Sequence, residues 1–278
     1  MSKLKITSFV TLTTLFGYIC FTPKLTVALL SAVVGTLLLA AGASVINHIQ
    51  EYKIDALMTR TKNRPIPSGK ITVTSAGIIS VILIAFGSLI LLSIGLVPLI
   101  LGLLNIFWYN IIYTPLKKIS PIAIIPGSMV GAIPPAIGWT SAGGYLFDPQ
   151  ILVISFFFFI WQIPHFWLLL LFLGKEYEQA GYPTLTKLFD IKQLSRITFV
   201  WITATVVASL LIPFFGIVKN HLVYFILLFA GVWLTWNASK FLIDRDQKMN
   251  FTFAFREINL FALIVMLIIT FDQILFLF

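Results

Sequence analysis

The sequence predicts an all-α membrane protein, nine transmembrane helices in one bundle, with its chemistry gathered at one membrane face. Three observations carry that expectation. The 278 residues are 59% hydrophobic and only 10% charged, with mean hydropathy +1.01, whereas a soluble domain carries roughly a quarter charged residues. Apolar runs recur along nearly the whole chain, each near the roughly 20 residues that cross a bilayer core as a helix. The basic residues, finally, crowd into every second connection between those runs.

The runs fall at 6–22, 25–46, 72–94, 96–113, 121–139, 151–173, 197–217, 221–243 and 254–277, and 1–278 reads as a single polytopic domain. The first, behind Lys3 and Lys5, has no small-residue cleavage pattern after it and reads as an uncleaved span. Lys53, Arg60, Lys62, Arg64 and Lys70 follow the second run, Lys117 and Lys118 the fourth. Lys175, Lys187, Lys192 and Arg196 follow the sixth, and Lys240, Arg245, Lys248 and Arg256 the eighth. Only Lys24 and Lys219 fall on the other side. By the positive-inside rule the amino terminus is then cytoplasmic and the carboxyl terminus outside, in a multi-pass plasma (inner) membrane protein. This one-sided placement accounts for the net charge of +9 without nucleic acid, for which no soluble domain is available. The single Cys20 excludes an intrachain disulfide framework.

Eight of the ten acids share the basic side, Asp148 and Asp272 being the exceptions. The connections after the second and sixth runs are the long ones, and long loops in compact folds are often functional. Both follow a run ending in acids (Glu51 and Asp55; Glu176 and Glu178), an internal echo at an offset of 125 residues that suggests a duplicated half.

Asn47, Glu51 and Asp55 are spaced i, i+4, i+8, which stacks them on one helical face. Two carboxylates and an amide oxygen are hard-oxygen ligands of the kind magnesium takes together with water and phosphate. The plainer alternative is a polar helix flank paired with Lys53 and Arg60. The bases that follow, Arg60, Lys62 and Arg64, fit a diphosphate held on that metal, since guanidinium forks take phosphate oxygens. Glu176 and Glu178 form a second, thinner acidic patch.

On the sixth run Gln162, His165 and Glu176 share a face, with Pro164 between the first two. An ionisable residue within a span is a functional candidate, although a lone histidine there also serves as a satisfied hydrogen-bonding group. Asn105, Tyr109, Tyr113 and Lys117 descend the fourth run in i+4 steps, a stripe that brings Lys117 to the inner surface to meet phosphate. Its alternative is interfacial tyrosine with a snorkelling lysine. Asp244-Arg245-Asp246 reads as a solvated turn, and the small residues from Gly127 to Pro135 as a helix-packing signal. A transporter would place its polar path near the midplane, and a non-catalytic assembly factor would leave the carboxylate register unexplained.

At these residues the sequence resembles the UbiA superfamily of intramembrane prenyltransferases. Asn47-x3-Glu51-x3-Asp55 matches its first signature with Glu51 in place of the commoner Asp, and Tyr113-x3-Lys117 matches its Tyr-x3-Lys element. Asp55–Pro65, Pro126–Trp139, Trp161-Gln-Ile-Pro-His-Phe166 and Lys175–Pro183 resemble its heme branch, the protoheme IX farnesyltransferases (heme O synthases). Thr184-Leu185-Thr186 departs from that branch's Met-Leu-Pro, and the second Asp-x3-Asp is reduced to Glu176-x3-Ala180.

The resemblance implies a UbiA-like bundle with a central cavity open to the cytoplasmic side. It implies farnesyl diphosphate as donor, heme B as acceptor and Mg²⁺ as cofactor, with a heme A synthase as a candidate partner. By the same resemblance Asn47, Glu51, Asp55 and Glu176 would hold the metal. Arg60, Lys62, Arg64, Tyr113 and Lys117 would take diphosphate, and His165 and Gln162 are the heme-binding candidates.

Overall fold

Helices dominate because a lipid-embedded backbone must satisfy its own hydrogen bonds, and only helices or closed barrels do so. The structure, a computed structural model, describes residues 4–243 and 247–276, and side chains at 7–240, 242 and 251–276. Lys3 and Asp244-Arg245-Asp246, expected to form a turn, lie outside the described residues. The helices are α1 (Leu4–Phe21), α2 (Val27–Asp55), α3 (Val73–Leu92) and α4 (Leu96–Phe107). A π-helical segment, Trp108–Tyr113, continues α4 into α5 (Thr114–Leu116). Then come α6 (Ile124–Gly127), α7 (Met129–Ser141), α8 (Pro149–Gln179), α9 (Ile191–Leu211), α10 (His221–Ile243) and α11 (Gln247–Leu275).

Among the described residues eight helical stretches are long and apolar enough to cross a membrane, and a shorter apolar helix, Thr7–Phe21, accompanies them. Two spans run well past their expected ends: α2 to Asp55 rather than 46, and α8 to Gln179 rather than 173. Hydropathy marks where the apolar surface stops, whereas the intrahelical hydrogen bonds continue into the polar turns that follow. The extra turns carry Asn47, Glu51 and Asp55, all buried, so this part of the helix lies within the bundle.

Neighbouring helices pack in a ring, α2 on α3, α4 on α7, α7 on α8, α8 on α9 and α9 on α10, with α11 touching α8, α10 and α1. Side chains set the helix starts: the Thr26 hydroxyl caps α2 at Leu29 N (3.2 Å), and Thr72 caps α3 at Ser75 N (3.1 Å). Asp190 and Gln193 form a reciprocal capping box on α9. Both acids expected on the opposite side tie down backbone. Asp272 accepts from Lys219 N and Asn220 N at 2.7 and 2.9 Å. Asp148 accepts from Tyr145 N and the Trp139 indole, both at 2.9 Å.

Helices α1 and α7 meet backbone to backbone. A Cβ on Gly138 would sit 1.9 Å from the Thr14 carbonyl oxygen, and one on Gly17 2.0 Å from that of Pro135. Within the Gly127–Pro135 run expected to pack helices, Gly127 and Gly131 instead seat side chains, Tyr113 and Gln162 respectively. Gly138→Leu is expected to cost about 1–3 kcal/mol through overpacking and to lower the thermal midpoint of the purified protein. Gly77→Ala, whose Cβ meets nothing within 4 Å, should leave the midpoint unchanged. Equal midpoints for the two variants would remove the α1–α7 contact from the account of stability.

Candidate active site

The ends of α2 and α8, far apart in sequence, are drawn together by a small apolar cluster. Met58 on one loop packs against Ala180 and Tyr182 on the other, with Ile54 and Tyr177 at its edge. The first loop is fastened locally. Thr61 donates from its hydroxyl to the Asp55 carbonyl (2.8 Å), and Thr61 N and Lys62 N bond to Met58 O. The second begins with a Schellman turn: Gly181, at φ +82°, lets its own N–H reach Glu178 O and Tyr182 N reach Tyr177 O. The Tyr177 and Tyr182 rings supply the apolar contact that accompanies this motif, 5.2 Å between centroids.

Residues of these loops line one end of a cavity of about 1510 Å³. Its polar end holds two ion pairs. Lys117 Nζ lies 2.7 Å from Glu51 Oε1, and Arg64 Nη1 lies 2.6 Å from Asp55 Oδ2. The Tyr182 hydroxyl also donates to Glu51 Oε1 at 2.8 Å. Burial, with the Glu51 carboxylate beside it, pushes the Tyr182 phenol well above its usual range, so it stays a proton donor at any physiological pH. The acids therefore pair with Lys117 and Arg64, while Lys53 is exposed.

Lys117 reaches Glu51 through the π-helical segment, where the expected even i+4 stripe does not hold. Thr114 N and the Thr114 hydroxyl both bond to Tyr109 O, five residues back. The Asn47 amide donates to that hydroxyl at 3.1 Å. The wide turn stacks Tyr109 on Tyr113 (6.0 Å) and Tyr113 on Phe166 (5.6 Å), and Lys117 Nζ lies 5.5 Å from the Tyr113 ring centre. Asn105 stays outside the cavity lining, whereas Tyr109 belongs to it.

The far wall is aromatic, built from Phe9, Trp161, Phe166 and Phe255, with Gln162 and His165 among them. Trp161 stacks on Phe9 at 4.9 Å, and its indole donates to Ile258 O at 3.1 Å, joining α8 to α11. His165 and Tyr177, both lining the cavity, are separated by about 18 Å along α8 at 1.5 Å per residue.

Of the expected site residues, Glu51, Asp55, Arg60, Arg64, Tyr113, Lys117, Gln162 and His165 line this cavity. Asn47, Lys62 and Glu176 do not. Asn47 is buried behind the wall on Thr114, and Lys62 points to solvent. Towards the end of α8 the lining follows Phe166, Leu170 and Tyr177, and Glu176 turns to Arg60 of the covering loop, 4.0 Å from its Nε. In this structure Glu176 and Glu178 therefore turn to different partners. Glu178 Oε1 is taken by the Thr184 and Thr186 hydroxyls at 2.7 and 2.9 Å, so the threonines that depart from Met-Leu-Pro hold their own loop. Among the described residues no group of three or more His, Cys, Asp and Glu side chains converges.

Sequence reasoning gave no site role to Tyr182, Arg256 and Asn259, which also line the cavity. The available signals were Ala180-Gly-Tyr-Pro183, a helix end aimed at a known acid, and Asn259, a polar residue inside an apolar run.

Comparison with known proteins shows the family and the fold. The UbiA prenyltransferase family matches residues 10–263. A curated relative from Oleidesulfovibrio alaskensis, named protoheme IX farnesyltransferase, is 31% identical over 98% of this chain and 94% of its own. A solved structure of digeranylgeranylglyceryl phosphate synthase superposes with TM-score 0.81 at 17% identity, over 97% of this chain and 95% of that one. A UbiA homologue from Archaeoglobus fulgidus, bound to GPP and Mg²⁺, superposes with TM-score 0.64 at 12% identity, over 96% and 97% of the two chains.

Proposed function

The chain belongs to the UbiA prenyltransferase family, and from that premise we propose that it makes heme O. It would transfer the farnesyl group of farnesyl diphosphate to a vinyl group of protoheme IX (heme B), with addition of water and release of diphosphate. The observation that carries the reading is a single cavity with paired acids and bases at one end and a histidine among aromatic rings at the other. The acceptor is supported by the name of the Oleidesulfovibrio alaskensis relative and by Trp161-Gln-Ile-Pro-His-Phe166 in this chain.

Glu51 and Asp55 are the residues that would hold Mg²⁺. They are buried, one helical turn apart, and both face the cavity; magnesium commonly takes only one or two carboxylates and fills its remaining positions with water and substrate phosphate. Held by Glu51 and Asp55, Mg²⁺ would supply positive charge to offset the charge that develops as the carbon–oxygen bond breaks. Its use here is supported by the GPP and Mg²⁺ bound to the Archaeoglobus fulgidus homologue. Arg60, Arg64 and Lys117 bind the diphosphate oxygens and stabilise the leaving group. Asn47 contributes by holding Thr114, and Glu176 by steadying Arg60. The aromatic rings that line the cavity suit the allylic cation left behind. Gln162 and His165 meet the heme.

The basic connections, including Arg60, Lys117 and Lys187, support a plasma (inner) membrane orientation with a cytoplasmic amino terminus, an external carboxyl terminus and a cavity open to the cytoplasm. A heme A synthase, as consumer of the product, is the partner this function implies.

The test is expression in membranes lacking heme O synthase, with farnesyl diphosphate supplied and the hemes extracted. Heme O is the expected product. Heme B alone, with the protein folded and inserted, overturns the reading, and prenylation of a quinone-ring acceptor instead would assign the chain to another branch of the family.

A further inference from the structure

At the aromatic end of the cavity one half-buried polar pair fixes which ring nitrogen of a histidine must carry a proton. Asn259 Nδ2 donates to the Phe255 carbonyl, one turn earlier on α11. A carbonyl oxygen only accepts, so the amide nitrogen must face it, and Oδ1 is left to meet His165 Nδ1 at 2.7 Å. That oxygen also only accepts, so Nδ1 carries the proton and Nε2 of the neutral ring keeps its lone pair. The ring is held by contacts on several sides: Trp161 at 4.9 Å, Phe166 at 5.6 Å and Phe255 at 5.0 Å between centroids. The Trp161–Ile258 hydrogen bond ties α8 to α11 at the same level. Asn259 and His165 both line the cavity, where the proposed acceptor would lie.

We propose that Asn259 is a positioning residue: it holds His165 as the Nδ1–H tautomer and presents Nε2 as an axial ligand to the iron of the substrate heme. This rests on the heme reading above. A hydrogen bond on the outer nitrogen makes an imidazole a stronger ligand and fixes its plane. One axial bond would then set the macrocycle's height and tilt in a pocket whose other walls are largely aromatic and aliphatic. The vinyl group that must meet the farnesyl carbon is thereby held at a constant distance from α8.

The test uses the full-length protein in lipid nanodiscs, titrated with ferric heme B and followed by absorption, electron paramagnetic resonance and reduction potential. Wild type is expected to show a histidine-ligated spectrum that His165→Ala loses and added imidazole restores. Asn259→Leu is expected to weaken heme binding about tenfold, within the 10–100-fold typical for loss of an outer hydrogen-bond partner, and to raise the potential of the bound heme. Asn259→Asp, which still accepts from Nδ1, should keep the ligation and lower the potential. The KM for farnesyl diphosphate should be unchanged in both, a split that general misfolding would not produce. A wild-type protein without histidine ligation overturns both the inference and the heme role of His165. Histidine ligation lost in His165→Ala, but with wild-type spectrum and potential in both Asn259 variants, overturns the positioning role alone.

Discussion

Asp55→Asn and Glu51→Gln are each expected to reduce heme O formation by about 10²–10³-fold, the range seen when one electrostatic stabiliser is removed from an active site, while the protein remains inserted and folded. Both carboxylates are almost wholly buried and line the cavity. The amides keep the shape and can still accept hydrogen bonds from Arg64, Lys117 and Tyr182, the present partners. What they lose is the charge that a divalent cation requires. Leucine would be a poorer probe, because it strands Lys117 or Arg64 as an unpaired, partly buried charge and so destabilises the fold as well. Turnover in isolated membranes, compared at equal amounts of folded protein, is the measurement. Near-normal turnover in either variant removes that residue from the metal role.

Farnesyl diphosphate and Mg²⁺ are expected to bind almost only together, each tightening the other by about a hundredfold, which is about 2.7 kcal/mol of coupling. The reason lies in the two ion pairs, Lys117–Glu51 and Arg64–Asp55, by which the site neutralises itself. A diphosphate arriving alone would draw off the bases and leave two carboxylates unpaired in a buried setting. A cation arriving alone would strand the bases. Only the joint ligand gives each of the four side chains a new partner. Thermodynamic linkage makes the factor equal in both directions. Calorimetric titration of farnesyl diphosphate without heme, in chelator and in excess Mg²⁺, measures it. An affinity that ignores chelation would sink this account, and full turnover after thorough chelation would remove the metal from the mechanism.

The legibility of the site follows from how far each feature reaches along the chain. The i, i+4, i+8 spacing of Asn47, Glu51 and Asp55 needs only a helix, and α2 supplies one to Asp55. That two of the three face the cavity, while Asn47 holds Thr114 behind the wall, depends on a partner 67 residues away. The Tyr113–Lys117 pair was readable, but the π-helical turn that aims it was not, because that turn is stabilised by the same distant contact. Glu176, Tyr177 and Glu178 looked like an acidic patch. Successive helical residues point about 100° apart, so three neighbours took three different partners, and only Tyr177 lines the cavity. Tyr182 and Asn259 bond across 131 and 94 residues, beyond any local pattern.

The sequence by itself determined the class of protein, the approximate spans, the loops that carry the acids and bases, and the helical face on which they stand. Those properties follow from composition and from periods of a few residues, which act along one helix at a time. Only the tertiary structure decided which base meets which acid, that Glu178 is spent on its own loop, and that Tyr182 and Asn259 enter the cavity at all. Partner choice is made between helices, where close packing selects one neighbour from many chemically suitable candidates.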